Sequence, residues 1–124
     1  MKEAIRYIEN AKEILNKSKI EDNMYVDDKY VKSACGVAYL GVLKAIEDYL
    51  QKSGFTKKEL PKSVDAYREM IKKHLSIYNG KLIRQFENLY DELHIAGYYR
   101  GLLHRTSTVK DVLKGAEEFI KKIK

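Results

Sequence analysis

The residues best suited to chemistry lie in one stretch, DELHIAGYYRGLLHRTS (residues 91–107). Arg100 and His104 stand four apart there, interleaved with Gly97 and Gly101, also four apart. An arginine can grip a phosphodiester through parallel hydrogen bonds while a histidine transfers a proton. Counted at ~100° per helical residue from Leu82, the apolar residues Phe86, Leu89, Leu93 and Ala96 stay within ~40° of one line. At the same step Arg100 falls at ~0° and His104 at ~+40°, so both would prolong the core stripe. A guanidinium desolvated without a partner is costly. Either the helix outruns the core there, or Arg100 is paired, or the two side chains line a cleft. The sequence favours a structural role: Arg100 pairs with a carboxylate on a neighbouring helix and His104 closes the helix. Catalysis by Arg100 and His104 is the alternative. Glycine costs a helix about 1 kcal/mol relative to alanine. Gly97 and Gly101 therefore predict close packing against another helix or a ligand, or a helix that frays toward Thr108.

Other candidate groups are dispersed. His94 falls at ~+120° on the same count, His74 lies on the flank of its own helix, and Cys35 reads as a small core residue. No metal-ligand spacing, phosphate loop, dinucleotide fingerprint or HExxH motif occurs, so neither metal nor cofactor is expected. The net charge of +6 is uneven. Between Gln51 and Arg84 stand Lys52, Lys57, Lys58, Lys62, Arg68, Lys72, Lys73, Lys81 and Arg84, against Glu59, Asp65 and Glu69. That segment holds the whole excess. It is a solvated lysine-rich face or, alternatively, a basic patch that attracts nucleic acid or an acidic protein.

Helices must position all of these residues, and five are predicted. The first, over about 2–17, puts Ala4, Ile8, Ala11 and Leu15 on one arc. A polar connection, SKIEDNMYVDD, follows, with Asp27 or Asp28 as N-cap of the second. That helix, about 28–52, turns Val31, Ala34, Cys35, Ala38, Val42, Ala45, Ile46 and Tyr49 inward, and its alanines allow close helix approach. Gly54 suits the left-handed conformation after its end. Pro61 and Ser63 announce a third helix over about 62–78, with Val64, Tyr67, Ile71 and Leu75 inward. The fourth begins near Lys81. The fifth is expected to start at Thr108, where TVKD resembles a capping box, and to bury Val109, Val112, Leu113, Ala116, Phe119, Ile120 and Ile123. No strand is predicted. The expected architecture is all-α, a single-domain antiparallel up-and-down bundle of four to five helices over residues 1–124.

A chain of 124 residues can bury a core without disulfides, and one cysteine admits no intrachain disulfide. The composition is 44% hydrophobic and 34% charged, too apolar for disorder. With no signal-peptide pattern and no apolar run approaching the ~18 residues of a membrane span, a soluble cytoplasmic protein is expected.

The succession AIRYIENAKEIL, YVKSACGVAYLGVLKAIEDYL, a shorter basic helix, LYDELHIAGYYRG and a closing amphipathic helix resembles the HEPN-like helical domains. More narrowly, it is similar to a DUF5618-like family of uncharacterised bacterial proteins. The HEPN resemblance implies an up-and-down bundle, frequent homodimerisation and, in some members, metal-independent RNA cleavage. Those members carry an arginine, usually followed by a polar residue, with a short spacer before a histidine. Here Gly101 follows Arg100, and only Gly101, Leu102 and Leu103 separate it from His104. REMIKKH (residues 68–74) matches the spacer better but lies on the third helix. The leading expectation is a non-enzymatic helical module acting through self-association or a protein partner. Its rivals are an HEPN-type ribonuclease using Arg100 and His104, and charge-driven nucleic-acid binding by the 51–84 segment.

Overall fold

Helix α2 (Asp28–Lys52) is the axis of the computed structural model, which describes residues 2–75 and 80–123. Its start follows from Asp27, which has an extended backbone and whose side-chain Oδ1 accepts the Lys29 amide at 3.2 Å. Its end follows from Gly54, at φ +105°. Along it Val31, Ala34, Cys35, Ala38, Val42, Ala45 and Ile46 are buried, as are Tyr39, Gly41 and Leu50. Helix α1 (Lys2–Leu15) lies against it through Ala4, Ile8, Ala11 and Leu15, all buried. The approach is close because Gly41 has no side chain: a Cβ there would stand 2.9 Å from Tyr7 Cβ and 3.0 Å from the Ala4 carbonyl oxygen.

Helix α3 (Val64–Met70) starts at Ser63, whose hydroxyl accepts the Ala66 amide at 3.1 Å. It widens into π-type turns over Ile71–Leu75. Tyr67 and Ile71 are buried, while Val64 and Leu75 pack against the core from its edge. The predicted continuation through Tyr78 lies outside the described residues. Helix α4 (Lys81–Leu89) also widens into π-type turns, over Tyr90–Tyr99. Helix α5 (Thr106–Lys122) buries Val109, Val112, Leu113, Ala116, Phe119 and Ile120, with Ile123 just beyond it. Among the described residues the result is a mostly helical bundle, five helices packed together around one core.

Two expectations need correction. The connection after α1 is a short antiparallel hairpin, β1 (Ile20–Glu21) and β2 (Met24–Tyr25), with Ile20 opposite Tyr25 and Glu21 opposite Met24. Its turn is Asp22–Asn23, both left-handed at φ 52° and 63°, the conformation that a two-residue loop needs to match strand twist. Helix α5, in turn, begins at Thr106 rather than Thr108. The hairpin supplies the missing cap: the Thr106 amide donates to the Asn23 carbonyl at 2.9 Å, and Met24 bridges Arg105. No side chain caps this helix, so the capping-box reading of TVKD fails.

Candidate functional site

At the end of α4 the geometry settles whether Arg100 and His104 prolong the core stripe. They do not. Turns closed by bonds five residues back exceed four residues each, so the phase no longer follows the ~100° count. The Arg100 amide donates to Ile95 at 2.9 Å, and the Leu102 amide reaches Ala96 at 2.8 Å. Gly101 then turns left-handed, at φ +62°, and the chain leaves the helix. Arg100 is exposed, and its guanidinium has no hydrogen bond or ion pair among the described residues. It is His104 that meets a carboxylate, with Nδ1 3.1 Å from Asp28 Oδ1 at the start of α2. The His104 carbonyl accepts the Tyr25 amide at 2.7 Å, which ties this loop to the hairpin. The expected carboxylate partner of Arg100 is thus replaced by one for His104. Leu82 and Ala96, counted to the stripe, are only half-buried, whereas Gly97 is buried.

The two glycines stand against α2. A Cβ on Gly97 would lie 2.6 Å from Cys35 Sγ and 2.7 Å from Cys35 Cβ; one on Gly101 would lie 2.6 Å from Lys32 Cε. A third glycine works from the other side: a Cβ on Gly36 would stand 2.8 Å from the Tyr98 ring. Burial pushes the Cys35 thiol up to about 12, so it stays protonated and inert. Among the described residues no group of His, Cys, Asp or Glu is placed to hold a metal ion.

The basic segment is spread over several elements. Arg68 turns toward α4, with Nε 2.6 Å from Glu87 Oε1 and its guanidinium over the Tyr90 ring, while Nη1 lies 2.8 Å from Asp65. Lys72 sits 3.9 Å from Glu69. Lys57, Lys58, Lys62, Lys73, Lys81 and Arg84 are exposed on the 3-10 turn (Lys57–Glu59), the α3 approach, the turns that extend α3, and the first turn of α4.

The feature that periodicity missed is the outer face of α2. Leu40 is 51% exposed in mid-helix, and Tyr98, Tyr99 and Leu102 are exposed at the end of α4 nearby in sequence to the Gly36 contact. Ser33, Gly36, Val37, Tyr39, Leu40, Leu43, His94 and Tyr98 line a groove of about 540 Å³ between these elements. Rings stack across it: His94 lies 4.9 Å from Tyr39 of α2 and 6.0 Å from Tyr98 by ring centroids, with Tyr90 behind at 5.4 Å. Burial pushes the Tyr39 hydroxyl up to about 12. The sequence did carry a signal. Val37, Leu40 and Leu43 make a second apolar stripe, and a helix apolar on two faces needs two partners.

Comparison with known proteins gives a family without an activity. The model of a family described as a domain of unknown function, DUF5618, matches residues 1–124. The chain belongs to the DUF5618 family. A protein of unknown function from Dyadobacter fermentans is a similar solved structure, with a TM-score of 0.80 and 35% identity over 97% of this chain and 90% of that one. No curated protein matches this DUF5618 chain. No described helix is long and apolar enough to cross a membrane.

Proposed function

We propose that this DUF5618 protein is a non-enzymatic helical module that acts by self-association, two copies pairing antiparallel along α2 about Leu40. The observation that carries this reading is the exposed Leu40 at the centre of an apolar groove. Ser33, Leu40 and Glu47 recur at the seven-residue spacing of a helix-pairing seam, with Leu43 between the last two. The seam is also polar in charge. Lys29 and Lys32 stand at its N-terminal end without carboxylate partners, and Glu47 stands at the other end, held by the Tyr67 hydroxyl at 2.5 Å. Lys44 is already matched by Asp48 at 3.5 Å. Antiparallel pairing brings each lysine end toward a Glu47, whereas parallel pairing stacks like charges. A two-fold axis through Leu40 makes the contact isologous, which closes the assembly at two copies. Val37 of one copy then faces Leu43 of the second, and Ser33 faces Glu47.

An HEPN-like ancestry agrees with the helix order and with this mode of association, and forms part of the proposal. RNA cleavage does not, because Arg100 and His104 lie beyond the helix that was to align them. The geometry is tested by oxidative cross-linking. A Leu40→Cys variant should form a disulfide-linked dimer in near-complete yield, because the two copies of residue 40 meet at the axis. Ser33→Cys alone should not, but should cross-link when mixed with Glu47→Cys. Equal yields from Leu40→Cys and Ser33→Cys would contradict the antiparallel pairing.

A further inference from the structure

A second concavity shares no residue with the α2 groove. Lys12, Leu15 and Asn16 of and just beyond α1, Tyr25 of β2, and Lys110, Leu113, Lys114 and Glu117 of α5 enclose about 460 Å³, within the size range of small-molecule sites. Its floor is apolar, since Leu15 and Leu113 are buried. Its rim is basic. Glu117 is the one carboxylate in the wall, and two lysines already share it: Lys12 Nζ lies 3.2 Å from Oε1 and Lys121 Nζ 3.6 Å from Oε2. Lys110 and Lys114, one helical turn apart on α5, have no carboxylate partner among the described residues.

The hairpin adds the third component. Tyr25 is only 5% exposed, yet its hydroxyl has no hydrogen-bond partner among the described residues. It is not among the fully enclosed unpaired polar atoms either, where only Gln85 Oε1 stands. The hydroxyl therefore keeps access to solvent, and Tyr25 is one of the residues that enclose the cleft. An unpaired donor on a buried side chain thus stands beside an apolar floor, with two ammonium groups that have no carboxylate partner at the rim. A low-dielectric wall under a rim of one charge sign also concentrates anions.

We propose that this cleft binds a small amphiphilic anion. Lys110, Lys114 and the Tyr25 hydroxyl hold its carboxylate or phosphate head, and Leu15 and Leu113 receive its apolar body. The pairing of charge with an apolar floor separates this from the exposed lysines of the 51–84 segment, which have no enclosed floor beside them. The hairpin that fixes Tyr25 also caps α5, so occupancy should stiffen the loop between Tyr99 and Thr106.

Titration calorimetry of the full chain with octanoate and with phenyl phosphate tests the site, with octanol as the uncharged control. Saturable binding of either anion supports the proposal. Tyr25→Phe should weaken binding about tenfold to a hundredfold, the loss of one hydrogen bond to a charged group. Lys110→Glu with Lys114→Glu, both exposed, should abolish binding while the circular dichroism spectrum is unchanged. Leu40→Glu, which disrupts the α2 groove, should leave binding unaltered, so this site can stand or fall apart from the self-association reading. The proposal is overturned if neither anion binds, if octanol binds as tightly as octanoate, or if the double charge reversal binds like the parent.

Discussion

Replacing Gly97 by alanine should destabilise the protein, against the usual effect of that substitution in a helix. Propensity alone favours alanine by about 1 kcal/mol. At Gly97, however, the new Cβ would stand 2.6 Å from Cys35 Sγ, 2.7 Å from Cys35 Cβ and 3.0 Å from the Glu92 carbonyl oxygen. Cys35 is wholly buried on α2 and cannot swing aside. Overpacking of that kind costs about 1–3 kcal/mol. The net loss is then up to about 2 kcal/mol, equivalent to as much as about 8 °C in Tm for a chain of this size. Gly115→Ala is the internal control, because its Cβ would meet only Leu89 Cδ2 at an ordinary 3.7 Å. That variant should gain up to about 1 kcal/mol. Urea unfolding with a constant m value measures both. Cys35→Ala added to Gly97→Ala should recover only part of the loss, since the Cβ contact persists, and a double-mutant cycle isolates the coupling. A Gly97→Ala variant more stable than the parent, as Gly115→Ala should be, would refute the close packing of α4 on α2.

Other outcomes follow from the same structure. The Cys35 thiol, pushed up to about 12 by burial, should resist alkylation at pH 8 in the folded state and react at once in denaturant; rapid reaction when folded would contradict its placement. Glu117 is held below the ordinary carboxylate range, first by the hydrogen bond from Lys12. A depressed carboxylate stabilises the fold fully above its unfolded pKa and loses that contribution as pH falls through the folded one. Lys12→Ala should therefore lower stability at pH 7 by at most about 1 kcal/mol, as is usual for a largely exposed pair. Denaturation at stepped pH should show the difference from the parent vanishing below the carboxylate range.

Much of the architecture was legible because long helices announce themselves. The α2 cap at Asp27, the left-handed Gly54, the Ser63 cap and the α4 start at Lys81 all follow from local chemistry. The hairpin was not legible by periodicity, since strands of two residues have none. Its trace was the Asp22–Asn23 pair, two residues that tolerate positive φ. Missing it displaced the start of α5, whose first amide is capped by a backbone carbonyl from that turn rather than by a neighbouring side chain. The end of α4 was misplaced for another reason. The ~100° step assumes bonds four residues back, and the π-type turns of Tyr90–Tyr99 break that assumption just before Arg100. The outer stripe of α2 was visible as Val37, Leu40 and Leu43, but the stronger inner stripe of the same helix drew the reading inward.

Self-association through α2 is tested most directly by sedimentation equilibrium of the parent chain beside Leu40→Glu. The parent should shift with concentration from the 14.5 kDa chain mass toward twice that value. Leu40→Glu, which sets two carboxylates against each other on the axis, should remain at the single-chain mass throughout. A parent that stays monomeric at millimolar concentration, or a Leu40→Glu variant that dimerises equally well, would contradict the account.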